Sequence, residues 1–124
     1  MISRRAFMVE PGKIELRQVD VTPKEDEILV KVTVCGLCNW ELNHWRGTIG
    51  TYPQTVGHEC GGYVAAVGKN VDGFKEGDLV TALLPNMDGF SDYVAVHKTK
   101  CIKLGPHVNP LHAFGEPLKC VVTV

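Results

Sequence analysis

Residues 27–35 read EILVKVTVC, and this stretch decides the fold class. Its apolar residues alternate, which places Ile28, Val30, Val32 and Val34 on one face and Leu29, Lys31, Thr33 and Cys35 on the other. A period of two is that of a strand. Further along, GGYVAAVG (61–68), GDLVTALL (77–84) and FSDYVAVH (90–97) read as further short strands. Turn signals such as Asp72-Gly73 and Asp88-Gly89 separate them. Short strands at this spacing predict a small, mainly β protein, an antiparallel barrel or sandwich.

Residues 35–47, CGLCNWELNHWRG, change the period. Cys38, Leu42 and Trp45 recur at helical intervals and Gly47 supplies a stop, so a short helix is expected. After Leu104 the texture changes again. PHVNPLHAFGEPLKCVVTV places Asn109 before Pro110, a helix start, but Gly115 and Pro117 break it, and the segment closes on an apolar run.

Composition narrows the class. The 124 residues suit one domain, and 44% hydrophobic with 22% charged residues is ordinary for a globular protein. A formal net charge of -1 with no basic stripe offers no electrostatic footprint for nucleic acid or a membrane surface. No apolar run reaches bilayer length, and MISRRAF has no apolar stretch of the kind a signal peptide needs. Five cysteines at irregular spacing are read as reduced thiols in a cytoplasm rather than a disulfide framework. No G-x-G-x-x-G or P-loop pattern occurs.

Two residues then stand out. Cys38 opens the short helix, where the helix dipole favours a thiolate. His58 sits in TVGHECGG (55–62), a glycine-bracketed turn where packing alone gives no reason for an imidazole. Thiolate, imidazole and carboxylate together suit Zn²⁺. Glu59 is adjacent to His58, and Glu116 in GEPL (115–118) is the candidate for a third ligand, its carboxylate over a backbone stiffened by Pro117. Structural zinc sites prefer four Cys or His ligands in close pairs, so this set points to a catalytic ion with an open position. Two other readings compete. Cys35 and Cys38 have the C-x-x-C spacing of a redox pair, although no β-α-β context surrounds them, and buried cysteine also packs as a small hydrophobe.

CGLCNWELNHWRG, GHECGGYVAAVG, GDLV, GFSDYV and GEPL occur in the order and approximate spacing of the zinc-dependent medium-chain alcohol and polyol dehydrogenases. The chain resembles their GroES-like catalytic domain over essentially its whole length, which implies a GroES-like antiparallel β-barrel with short helices. The resemblance implies Cys38 and His58 as zinc ligands, Glu59 as an acid that ligates or swings towards the ion, and Glu116 as the carboxylate of the sorbitol-dehydrogenase-like branch. It also implies an alcohol or polyol substrate activated by zinc, with NAD(P)⁺ taking the hydride.

The chain departs from the family in places. Trp40 stands where a proton-relaying Ser or Thr is frequent; it cannot relay a proton, and it should narrow the substrate pocket. Asn43 stands at the relay histidine of some members, with His44 one position off. Glu41 replaces the usual Asp at the position that supports His58. The four-cysteine structural lobe expected after GDLV is missing. Residues 1–124 are expected to be the zinc half of such an enzyme, truncated before its Rossmann domain and inactive alone. The apolar KCVVTV tail would then favour self-association. The rival from another class is a non-enzymatic zinc-binding or oligomerising β-barrel that keeps the fold.

Overall fold

A computed structural model describes residues 1–110 and 113 of the chain. The described residues form eight strands: β1 (Ile2–Glu10), β2 (Lys13–Asp20), β3 (Glu27–Gly36), β4 (Gln54–Thr55), β5 (Glu59–Val67), β6 (Leu79–Leu83), β7 (Tyr93–His97) and β8 (Cys101–Lys103). One helix, α1 (Asn39–Arg46), follows β3, and a 3₁₀ turn (Lys98–Lys100) joins β7 to β8. The strands form a three-stranded sheet in the order β2-β1-β4 and a five-stranded sheet in the order β7-β3-β5-β6-β8. All pairings are antiparallel. The protein is mainly β, as its alternating stretches predict.

The larger sheet carries the main core. Ile28, Val30, Val64, Val80, Val94 and Val96 pack together with Cys60 and Cys101. β-branched side chains suit a pleated surface, and each fully buried one contributes roughly 1.5–3 kcal/mol. In the first half of β3 both faces are buried, since Leu29 is covered as well as Ile28 and Val30. The strict two-sided alternation expected for this strand therefore holds only from Lys31 onward, where Lys31 and Thr33 are exposed.

The segment before β7 ties the two sheets together. Ala6 donates its N–H to the Phe90 carbonyl at 2.9 Å, and Asp92 donates to the Arg4 carbonyl at 3.0 Å. Buried Ser3 accepts from the Tyr93 N–H at 3.0 Å. Ala6, Met8 and Val56 form a second, smaller core. Among the described residues, no helix is long and apolar enough to cross a membrane.

Candidate metal centre

The register of the central ladder creates the site. Gly36, the last residue of β3, lies opposite Glu59, the first of β5. Two residues beyond Gly36 the chain reaches Cys38, and one residue before Glu59 it reaches His58. Both side chains therefore leave the same end of the sheet. Gly57 has φ +98°, and a Cβ there would lie 2.8 Å from the Phe90 ring and 2.9 Å from Cys35 Sγ. Only glycine fits both the backbone and the space, and that fit delivers His58 to its position.

Cys38 is the N-cap of α1. Its Sγ accepts the Trp40 N–H at 3.3 Å, while Glu41 reaches back to accept the Cys38 N–H at 3.1 Å. This reciprocal arrangement satisfies helix-end amides as a capping box does, with a thiol in place of the usual hydroxyl. Gly47, in the left-handed region at φ 82°, ends the helix as expected.

The side chain of Glu41 is 2% exposed. Its Oε1 stands 2.7 Å from His58 Nδ1, and its Oε2 accepts from Cys38 Sγ at 3.0 Å. Burial pushes the Glu41 carboxyl up, but the hydrogen bonds from the Cys38 thiol and from the Cys38 and Glu41 amides outweigh it, with help from His58. The net direction is down, so Glu41 is the ionised acceptor of the pair. An ionised carboxylate can only accept, so His58 Nδ1 carries the proton. In the neutral ring Nε2 is then a lone pair, and it faces Cys38 Sγ at 3.7 Å and Glu59 Oε1 at 3.7 Å.

Donor atoms of Cys38, Glu41 and His58 all lie within 4.8 Å of one another. Glu59 is buried at the edge of this group, with its carboxylate over Gly36. Glu116 lies outside the described residues. So does the KCVVTV tail.

One expectation about Cys38 is corrected. Its thiol is raised, not lowered, because burial and the hydrogen bond to Glu41 outweigh the Trp40 amide. A carboxylate 3.0 Å away holds the proton on sulfur more firmly than a helix of this length can remove it. The apolar stripe expected on α1 is also reversed. Leu42 and Trp45 are 41% and 44% exposed, while Glu41 and His44 are the buried residues.

His44 is held away from the centre. One ring nitrogen, Nε2, is 2.9 Å from the Thr51 carbonyl, and the ring lies between Trp40 and Tyr52 at centroid distances of 5.1 and 4.8 Å. Cys35 is filler: a Cβ at Gly57 or Gly89 would lie 2.9 Å from its sulfur. Burial pushes its thiol up to about 12. The described cysteines are all free.

Trp40 and His58 border one cavity of about 340 Å³. Its remaining lining is Leu83, Leu84, Pro85, Met87 and Lys100. None of those five was singled out by the sequence, because the end of β6 and the 3₁₀ turn meet only through the β6–β8 pairing.

Residues 24–106 match the family described as alcohol dehydrogenase GroES-like domain. The sorbitol dehydrogenase of Bacillus subtilis is 48% identical over 83 residues, covering 62% of this chain and 24% of that protein. An S-(hydroxymethyl)glutathione dehydrogenase of Escherichia coli is 37% identical over 132 residues, covering 95% of this chain and 36% of its own length. Among solved structures, a candidate zinc-binding dehydrogenase of Sinorhizobium meliloti bound to NADP superposes with a TM-score of 0.82 at 26% identity. That superposition covers 98% of this chain and 44% of the other. The chain thus spans less than half the length of each of these relatives. With the strand order, the Cys38–His58 geometry and the match over residues 24–106, the chain belongs to the alcohol dehydrogenase GroES-like domain family.

Proposed function

We propose that the chain is the zinc- and alcohol-binding part of an NAD(P)-dependent alcohol or polyol dehydrogenase. The observation that carries this reading is the 3.7 Å separation of Cys38 Sγ and His58 Nε2, with Glu41 locked on the opposite nitrogen of the ring. A tetrahedral zinc with ordinary bond lengths sets its sulfur and nitrogen ligands about 3.6 Å apart, and its nitrogen and oxygen ligands about 3.4 Å apart. Glu59 Oε1, 3.7 Å from Nε2, is close to the second spacing. The thiol, imidazole and carboxylate donors, at these two spacings, fit the ion.

Cys38 and His58 would hold the zinc, with Glu59 as a third or exchanging ligand and Glu116 as a further carboxylate. Glu41 acts one bond further out. Its grip on Nδ1–H fixes the tautomer and the ring plane, and both its oxygens are already engaged, so it supports the centre rather than ligating. A bound zinc supplies a Lewis acid that lowers the pKa of an alcohol oxygen.

Leu83, Leu84, Pro85 and Met87 give the cavity beside His58 an apolar wall, and Trp40 borders it. The indole N–H can donate a hydrogen bond but carries no proton to solvent. Proton exit therefore falls to Glu59 or a water beside it.

The hydride acceptor, a nicotinamide dinucleotide, is assigned to a separate nucleotide-binding domain, since no glycine fingerprint occurs in these 124 residues. A cytoplasmic setting is supported by the free thiols.

Elemental analysis of chain purified in zinc tests the reading. About one zinc per chain is expected, falling well below that in Cys38→Ser and His58→Gln. Stoichiometric zinc in both variants would contradict it.

A further inference from the structure

The cavity beside His58 has an uneven wall. Four of its side chains are apolar: Leu83, Leu84 and Pro85 offer no hydrogen bond, and the Met87 thioether is only a weak acceptor. Of the three other lining residues, Trp40, His58 and Lys100, only Lys100 brings an ammonium, among the described residues. Three lysines fall within six residues here, and they differ in their partners. Lys98 Nζ lies 3.6 Å from Asp26 and 3.0 Å from the Asn70 carbonyl. Lys103 Nζ lies 3.3 Å from Asp78 and 5.8 Å from the Phe74 ring centroid. Lys100, the one that borders the cavity, has no carboxylate in ion-pair range among the described residues.

We infer that Lys100 is the specificity-determining residue of this pocket. It selects alcohols that carry an anionic group, a carboxylate or a phosphate, at the end remote from the hydroxyl. The inference rests on the reading of the cavity as the alcohol pocket and adds the substrate class. A free polyol would find few partners for its several hydroxyls along the leucine, proline and methionine side chains. A ligand with an apolar or aromatic body loses nothing there and gains from the contact. Its anion then meets the ammonium of Lys100, an exposed residue bordering these apolar walls, in a charge-assisted contact that salt would screen. A volume of about 340 Å³ lies in the range of small-molecule pockets.

The probes are 4-(hydroxymethyl)benzoate, 4-(hydroxymethyl)phenyl phosphate and the neutral 4-(hydroxymethyl)benzamide, which share one body. Their binding to the zinc-loaded chain is followed by ligand-observed NMR at low ionic strength. At least one anion is expected to bind about tenfold tighter than the amide, and the comparison of carboxylate with phosphate identifies the favoured group. The ratio is expected to shrink as salt is raised. In Lys100→Gln the ratio falls to near one, and in Lys100→Arg it is retained, with zinc content unchanged in both.

Equal affinities for anions and amide, or a preference that survives Lys100→Gln, would overturn the inference. Stripping the metal separates the two readings. If all three affinities ignore zinc while the Lys100-dependent preference stays, the metal reading fails and the role of Lys100 stands. If the affinities need zinc but show no preference, the reverse holds.

Discussion

Glu41 Oε1 lies 2.7 Å from His58 Nδ1, and the same carboxylate accepts from both the backbone and the sulfur of Cys38. One buried side chain thus fixes both of the proposed zinc-binding residues and closes the N-terminus of α1. Glu41→Gln keeps the size but removes the charge that makes this group a pure acceptor. Zinc affinity should fall roughly 10–100-fold, as loss of such support typically costs. Weakening of the helix cap should cost about 1 kcal/mol of stability as well. Competition against a chromophoric chelator and a thermal melt would measure the two effects. An unchanged zinc affinity would show that Glu41 serves the helix alone.

Gly36 offers a second test, because a Cβ there would lie 2.4 Å from Glu59 Oε2 and 3.3 Å from Glu59 Cβ. The nearest clash is with the end of a flexible side chain, which can swing aside. Gly36→Ala should therefore fold, with a melting temperature lowered by a few degrees, while Glu59 is displaced from the centre. Zinc should bind about tenfold more weakly if Glu59 contributes to holding it. Wild-type affinity in a folded Gly36→Ala protein would remove Glu59 from the ligand set.

Alkaline pH probes the core thiols. Burial pushes Cys35 up to about 12 and Cys101 up to about 11 from an ordinary 9.0, and Cys60 rises further in the same direction. Below pH 9 these thiols are neutral in both folded and unfolded chains, so their contribution to stability is fully present. Above pH 9 the unfolded chain ionises first and binds fewer protons, so stability is lost as pH rises towards the folded values. Melting temperature should fall from pH 9 to about pH 11, and Cys60→Ala should show a shallower fall. A flat profile across this window would contradict the burial of these thiols.

The chain alone should show no saturable binding of NAD(H) or NADP(H) by calorimetry, and no turnover with alcohols. Hydride transfer needs the nicotinamide held rigidly against the substrate, and such positioning can supply roughly 7–11 kcal/mol of a barrier. Micromolar cofactor affinity in a verified 124-residue preparation would contradict the assignment of that task to a separate domain.

Four strands of the larger sheet, β3, β5, β6 and β7, were legible because each carries buried β-branched residues such as Ile28, Val30, Val64, Val80 and Val94, whereas the three-residue β8 was too short to show a period. β1 and β2 were not read, although Pro11-Gly12 marks the turn between them. The inward side chains of β1 are only Ser3, Ala6 and Met8, and β2 is exposed along almost its whole length. In β2 only Ile14 and Leu16 alternate, and both are exposed, too short a period to read as a strand. Cys38 and His58 were legible by chemistry, as donor types without a packing reason.

The face of α1 was misread for the same physical cause that makes it useful. A helix that turns Glu41 and His44 inward inverts the apolar pattern, and Leu42 and Trp45 are left half-exposed. Lys100 could not be found at all, because only the sheet register carries it to the cavity beside His58.

Cobalt substitution tests the central claim most directly, because a thiolate ligand has its own absorption. Co²⁺ added to the metal-free chain should bind at one site per chain. It should produce a sulfur-to-cobalt charge-transfer band in the near ultraviolet and the strong visible bands of a tetrahedral ion. Zinc should displace it, and Cys38→Ser should lose the charge-transfer band. A charge-transfer band of full strength in Cys38→Ser, or no cobalt bound to the wild-type chain, would contradict a metal centre at Cys38 and His58.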